Sequence, residues 1–302
     1  MSRRTLAHIL LLLTVLVWGA TFTLVKSALA DVSPLLFNLL RFTLATLALA
    51  LINHRHLRAI TAAQLKFGAL AGVFLALGYQ FQTLGLARTT PAKSAFITGL
   101  VVVFVPALTL FPALRPAGSS RPGPTAAIGA LCAFTGLFLL TTPAGTRLGN
   151  LFSSIGVGDL LTLVCAIAFA AHLLTLARAS KIMPAGLLAT LQIAFATIVM
   201  LFTLPFERPH AIFTPPLILT LAVCSLFATA AAFTVQSFAQ RVLPPTHTVI
   251  LLTLEPVFAW LTALLFLPEI LDRRALLGAA LILAGIAIIE LLPAANTTEI
   301  PA

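Results

Sequence analysis

Thr246-His247-Thr248-Val249-Ile250-Leu251-Leu252-Thr253-Leu254-Glu255-Pro256-Val257-Phe258 is an apolar run that carries one acid and then a proline. An earlier apolar run carries the matching proline, Pro106, at an offset of 150 residues. Working outward, Gly129 and Gly136 recur as Gly278 and Gly285 at an offset of 149, Pro34 recurs as Pro184 at 150, and Pro91 as Pro244 at 153. The second half of the chain therefore repeats the first. Each half holds five apolar stretches, and an odd number of spans makes the second copy enter a membrane from the opposite side. Such inverted repeats place a binding site at the repeat interface near the bilayer midplane in many secondary transporters.

Composition sets the class. The chain is 60% hydrophobic and 9% charged, against roughly a quarter charged for a soluble domain. About 20 apolar residues cross ~30 Å of hydrocarbon as a helix. Ten stretches meet that requirement, at 5–25, 34–52, 67–87, 94–113, 125–142, 159–177, 185–205, 216–238, 246–266 and 275–292. No connection exceeds 16 residues, which leaves no room for a soluble domain. Backbone groups in lipid must bond internally, as helices of this length do. The expectation is an all-α integral membrane protein whose ten transmembrane helices form two inverted five-helix repeats, 1–143 and 144–302.

The net charge of +10 does not point to nucleic acid, because the 18 Lys and Arg residues are spread through short loops without a basic run. Their distribution bears on orientation. With the N-terminus inside, cytoplasmic segments hold Arg3, Arg4, Arg55, Arg58, Lys66, Arg115, Arg121, Arg178, Lys181 and Arg241. The other side holds Lys26, Arg88, Lys93, Arg147, Arg208, Arg273 and Arg274, and Arg41 lies within a span. The excess is clearest in the first half, where early helices dominate topology. The expected location is the cytoplasmic membrane of the cell, with both termini in the cytoplasm. Arg3, Arg4 and the following apolar run imitate a signal peptide, but the run is long for a signal core and has a partner span in the second repeat. It reads as the first span. Cys132, Cys165 and Cys224 fall inside spans without metal-ligand spacing and read as small apolar fillers. No cofactor or metal motif is present.

Several motifs sit in order along these spans. The first helix reads Trp18-Gly19-Ala20-Thr21-Phe22, and the third and fourth run from Gly85 through Arg88, Pro91, Lys93 and Gly99 to Pro106. The sixth opens Gly158-Asp159-Leu160-Leu161. The ninth is entered by Pro245-Thr246-His247, holds Glu255-Pro256-Val257 and is followed by Pro268-Glu269. Together these resemble the EamA type of the drug/metabolite transporter superfamily, over the whole chain from Trp18 to Gly285. The resemblance implies a ten-helix inverted-repeat permease with cytoplasmic termini, often an exporter of amino acids or other small metabolites. It leaves the substrate open. One departure is that the fourth helix closes Phe111-Pro112-Ala113-Leu114-Arg115, without the acid that Glu269 supplies at the end of the ninth.

Ionisable groups inside spans are functional candidates, since each costs ~2.5–3.5 kcal/mol at a helix centre on insertion scales. Glu255 is the one acid near the midplane; Glu290 lies near a span end, within reach of headgroups. Glu255 suits either binding of a substrate amine or proton coupling, for desolvation favours a carboxyl that gains and loses a proton. Its structural alternative is to help satisfy a backbone kinked by Pro256, which leaves the Leu252 carbonyl unpaired. Arg41 is ~10 Å inside the second span and reads equally as a snorkelling anchor or as a cavity group. At offset 151 its partner is the amide Gln192. Tyr79 and Gln82 share a face of the third helix, Gln236 is a comparable amide in the eighth, and Trp18, Thr21, Phe22 and Val25 share a face of the first. Aromatic and amide groups around a common cavity suit an amphipathic metabolite; ordinary interhelical packing is the alternative for each one.

The candidate binding set is therefore Trp18, Arg41, Tyr79, Gln82, Gln192, Gln236 and Glu255. His172 and His247 read as packing groups or proton relays, and Arg88 and Lys93 as headgroup anchors. Pro106 and Pro256 are gating candidates. Gly129, Gly136, Gly278 and Gly285, with Ala280 and Ala284, read as packing surfaces that also allow a subunit contact, so a monomer or a homodimer is expected. Two rivals belong to other classes. Gly156-Val157-Gly158-Asp159 matches the G-x-G-D signature of intramembrane aspartyl proteases, but that chemistry needs a second in-membrane Asp, and Asp31 and Asp272 lie in loops. The second rival is a lipid-facing scaffold or flippase, and a scaffold does not need polar groups at mid-depth in several helices.

Overall fold

The computed structural model describes residues 2–114, 123–141, 155–242, 251–252, 254–267 and 271–291. Among them, apart from short 3-10 turns, ten apolar helices follow one another: α1 (Arg3–Ala28), α2 (Pro34–Ile52), α3 (Ala62–Leu86), α4 (Pro91–Thr109), α5 (Pro124–Thr141), α6 (Val157–Ala179), α7 (Ala185–Thr203), α8 (Pro215–Val242), α9 (Glu255–Phe266) and α10 (Arg273–Leu291). The protein is an all-helical, ten-helix membrane protein. Seven helices are long and apolar enough to cross a membrane among the described residues, and α5 and α9 contribute shorter apolar stretches.

The helices start where the sequence supplies a hydroxyl and a proline. Thr90 before Pro91 and Thr214 before Pro215 each accept a backbone N–H of the first turn, and the proline occupies a position whose N–H has no helical partner. Polarity is arranged for lipid. Leu51, Phe202, Leu265 and Phe266 point outward, each more than 70% exposed, while Asn38, Arg41, Gln80, Gln192, Thr229 and Gln236 are buried. Water would penalise that arrangement, whereas a bilayer solvates the outer surface and leaves the polar groups to pair inside.

Two contacts fix the relation between the halves. In the packing of α5 on α10, Gly136 lies against Gly278, and Gly285 lies against Gly129. Position rises along α5 as it falls along α10, so the two equivalent helices run antiparallel and the second repeat is inverted. Where a residue touches its own counterpart, the pseudo-two-fold axis passes between them. Thr46 Oγ1 lies 2.8 Å from Thr197 Oγ1, and the Cys132 thiol donates to the Leu281 carbonyl at 3.4 Å. The axis thus runs through the α2–α7 and α5–α10 contacts. Ala280 and Ala284 face away from the bundle, so the small-residue face that packs α10 is the glycine face alone.

The loops are clasped in matching fashion. The α1–α2 turn meets the α7–α8 loop through a single antiparallel bridge, Val32 to Ala211. There Glu207 Oε1 accepts from Ser33 Oγ and Leu36 N at 2.9 and 2.8 Å, and Thr214 Oγ1 donates to Asp31 Oδ2 at 2.6 Å. At the other end the α6–α7 turn meets the α2–α3 loop, where Leu57 and Ile60 pack with Met183 and Leu187 and Gln64 donates to the Ile182 carbonyl.

Two long spans are interrupted. α4 bends at Leu100, between segments Pro91–Gly99 and Val101–Thr109. α8 carries a π turn over Leu226–Ala231. Leu254 forms a turn and α9 begins at Glu255, which puts Pro256 at the second helical position, where its missing N–H costs nothing. Pro106, its counterpart, is instead interior to its segment. His247, Pro244, Glu269, Arg115 and the Glu290 side chain lie outside the described residues.

Candidate functional site

α1 meets α9 because Gly19 has no side chain. A Cβ there would stand 2.6 Å from Phe258 Cβ and 2.8 Å from Ala259 N. That close approach brings the Trp18 indole and the Glu255 carboxyl to one cavity between the repeats. The first half supplies Trp18, Thr21 and Phe22 from α1, Tyr79 and Gln82 from α3, and Thr98, Val101 and Val102 from α4. The second half supplies Phe169, His172 and Leu173 from α6, Phe233 and Gln236 from α8, Leu252 and Glu255. The cavity is partly open and offers about 80 Å³ to the centres of water molecules. At ~10–15 Å³ per water centre that is space for about six waters, the scale of a small solute. Gly99 at the α4 bend packs on Pro256, with 3.0 Å from its ideal Cβ to the ring, so the α4 break and the start of α9 meet at the cavity wall.

Its walls are aromatic. Tyr79 packs edge-on against Phe42, Phe169 and Phe233 at centroid distances of 4.9, 5.3 and 6.1 Å, and Trp18 lies 5.5 Å from Phe233. Such contacts hold the rings in place. Polar tips are positioned from behind. Trp18 Nε1 donates to the Ala228 carbonyl at 2.8 Å, a carbonyl in the π turn of α8. π turns cluster at functional sites, and this one is held by Thr229 Oγ1, which donates to the Cys224 carbonyl at 2.8 Å.

Five of the seven sequence candidates, Trp18, Tyr79, Gln82, Gln236 and Glu255, line this cavity. Arg41 and Gln192 do not. Arg41 is 3% exposed and sits behind Tyr79, its guanidinium carbon 4.6 Å from that ring's centroid. It donates to Thr229 Oγ1 at 2.7 Å, to the Ala228 carbonyl at 3.2 Å and to the Tyr79 hydroxyl at 3.4 Å. It is therefore not a snorkelling anchor; it borders a small adjoining pocket shared with Thr21, Phe22 and Gln82. Gln192 is fully buried and stands behind His172, to which it bonds at 2.7 Å. α6 intervenes between it and the cavity, so the histidine, not the amide, faces the space.

Two of the polar side chains that line the cavity carry oxygens without a protein partner among the described residues. Gln236 Oε1 is buried and unbonded. The Glu255 carboxyl pairs with no described residue, the one described ion pair being Lys93 to Asp159. Lys93 is thus not a headgroup anchor. Its Nζ reaches Asp159 Oδ2 at 2.8 Å, while Asp159 also accepts from Gly156 N and Thr89 Oγ1, each at 3.0 Å. The acid of the G-x-G-D match is a helix-start group that ties α6 to α4. Arg88 folds back onto the Leu84 carbonyl at 2.9 Å. Beside them Lys26 Nζ donates to the carbonyls of Leu86, Ala87 and Thr89 at 2.8, 3.2 and 2.8 Å, capping the end of α3.

Sequence reasoning passed over Asn38, Gln80 and Thr229. Asn38 donates to the Tyr79 carbonyl and to Gln80 Oε1, accepts from Thr83, and Gln80 continues to Thr203. This network fixes the turn of α3 that presents Tyr79. Asn38 and Gln80 stood out only as amides in apolar runs; nothing local marks Thr229 or its π turn.

Residues 5–142 and 156–291 each match the EamA-like transporter family. An uncharacterized transporter of Archaeoglobus fulgidus is 32% identical over 296 residues, 96% of this chain and 87% of that one. The uncharacterized transporter YoaV of Bacillus subtilis is 26% identical over 276 residues, 90% and 92% of the two chains. A solved crystal structure superposes with a TM-score of 0.66 over 97% of this chain and 99% of its own at 19% identity, which shows a shared fold.

Proposed function

The chain belongs to the EamA-like transporter family, and on that premise we propose that it is a secondary transporter that exports a small metabolite, amino acid-like or another amphipathic solute, across the cytoplasmic membrane by alternating access. The observation that carries this is the cavity at the repeat interface, lined from both halves and bordered by the α4 break and the start of α9. Its volume supports a small solute over a lipid. The repeats divide at residues 143 and 144, and both termini lie in the cytoplasm.

Alternating access follows from the inverted pairs. α1 packs on α9, and α4, its partner's counterpart, packs on α6. Under the pseudo-two-fold operation these two contacts exchange, so loosening one while tightening the other opens the cavity to one side and then to the other. Trp18 and Tyr79 orient the apolar body of the solute, and Gln82 and Gln236 offer hydrogen bonds. Glu255 supplies the carboxyl that a proton can occupy during the cycle.

The test is uptake of a panel of radiolabelled metabolites into proteoliposomes, with and without a pH gradient. Saturable movement of at least one solute, accelerated by the gradient, is the expected result. Glu255→Gln preserves shape and abolishes the response to the gradient. Vesicles indistinguishable from protein-free controls for every solute defeat the transport reading, and a normal gradient response in the Gln variant removes Glu255 from coupling.

A further inference from the structure

Among the described residues the cavity lining is one-sided in charge: Glu255 is the one carboxylate, no Lys or Arg side chain lines it, and the one imidazole, His172, is bonded to Gln192. Arg41, close by in the core, is screened by the Tyr79 ring that its guanidinium stacks upon and is engaged by Thr229, the Ala228 carbonyl and the Tyr79 hydroxyl. Gln236 contributes a second acceptor, Oε1, from a side chain 3% exposed and unbonded among the described residues. The rings of Trp18, Phe22, Tyr79, Phe169 and Phe233 line the same cavity. Of the other polar atoms at the lining, Gln82 Nε2 donates to Thr98 Oγ1 and His172 Nε2 bonds to Gln192 Oε1.

A buried acceptor without a donor is expensive and selects ligands that supply one. Aromatic faces attract cations, and the Trp18 indole N–H is already given to the Ala228 carbonyl. We propose that the ligand of this cavity is an organic ammonium ion, a protonated amine on an apolar aryl or alkyl body and without a carboxylate. The ammonium donates to the Glu255 carboxylate and, once the Gln236 amide turns its buried Oε1 toward the cavity, to that oxygen, and the apolar body lies among the rings. A zwitterionic amino acid adds a carboxylate for which the described lining offers no Lys or Arg, since Arg41 borders only the adjoining pocket and is already bonded to Thr229 and the Ala228 carbonyl; an organic acid meets Glu255 as a like charge. Specificity here comes as much from repulsion as from attraction. The assignment rests on the transport reading only for its consequence; the binding itself is measured separately.

The experiment is equilibrium binding to the purified full-length protein of three probes with the same body: phenethylamine, phenylalanine and 3-phenylpropionate. Phenethylamine binds saturably, and the other two bind at least tenfold more weakly. Glu255→Gln, with an unchanged melting temperature, weakens phenethylamine at least tenfold, and Gln236→Leu weakens it without altering the rank order. Absence of saturable phenethylamine binding, either competitor within tenfold of it, or a Gln variant that binds it normally overturns the assignment. The same probes in proteoliposomes separate the two readings. An amine that binds but does not cross the membrane defeats transport and leaves the ligand class standing. Solutes that cross while amines fail to bind defeat the ligand class and leave transport standing.

Discussion

Replacing Gly278 with alanine tests the contact that defines the inverted repeat. The new Cβ would lie 2.6 Å from Gly136 O, 2.6 Å from Leu140 N and 3.1 Å from Leu139 C. All three are backbone atoms, which no rotamer change can move aside. Ordinary contact begins near 3.4 Å, so α5 and α10 must separate by roughly 0.8 Å along their shared face. Overpacking of this kind costs about 1–3 kcal/mol, a fall in melting temperature of about 3–10 °C for a protein of this size. The assay is thermal unfolding of the detergent-purified protein. Gly136→Ala meets the same contact from the other side, 2.5 Å from Gly278 O, and produces a fall of similar size. The double variant falls by less than the two singles together, because one displacement serves both. Gly156→Ala is the control. Its Cβ meets nothing nearer than Asp159 Oδ2 at 3.6 Å, and its melting temperature stays within about 1 °C of the parent. A Gly278→Ala protein that melts with the parent, or a double variant with fully additive loss, refutes the antiparallel glycine contact.

Asp159→Asn leaves the Lys93 ammonium without its acid at a site where the carboxylate is 3% exposed, and lowers stability by about 1–3 kcal/mol. Adding Lys93→Met restores part of that loss, whereas a double variant no more stable than the single shows that the pair is not coupled. Thr229→Val keeps shape but removes the acceptor of Arg41 Nε. A buried charged donor left unbonded costs about 1.5–3 kcal/mol, read as a lower melting temperature, and an unchanged one means that the guanidinium finds another acceptor.

The number of spans, the duplication and the inversion were legible in the sequence because they depend on quantities that are additive along the chain. Hydrophobic length is a local sum, and Gly129, Gly136, Gly278 and Gly285 mark a backbone approach that no larger residue permits. Depth was legible for the same reason, so Trp18, Tyr79, Gln82, Gln236 and Glu255 could be named as interior groups. Direction was not. A polar side chain inside a span must face protein, but Gln192 and Gln236 look alike to the sequence. Only the placement of α6 in front of Gln192 decides that His172 reaches the cavity while the amide stays behind it. Arg41 likewise has the right depth, and the Tyr79 ring over its guanidinium decides that it positions an aromatic wall. Lys93, at a span end, meets the acid of another helix because Gly158 lets α6 lie against the backbone at Arg88. The π turn at Leu226–Ala231 has no local signature at all. Its register shift satisfies donors from α1 and α2, which are brought to it only when the two halves pack.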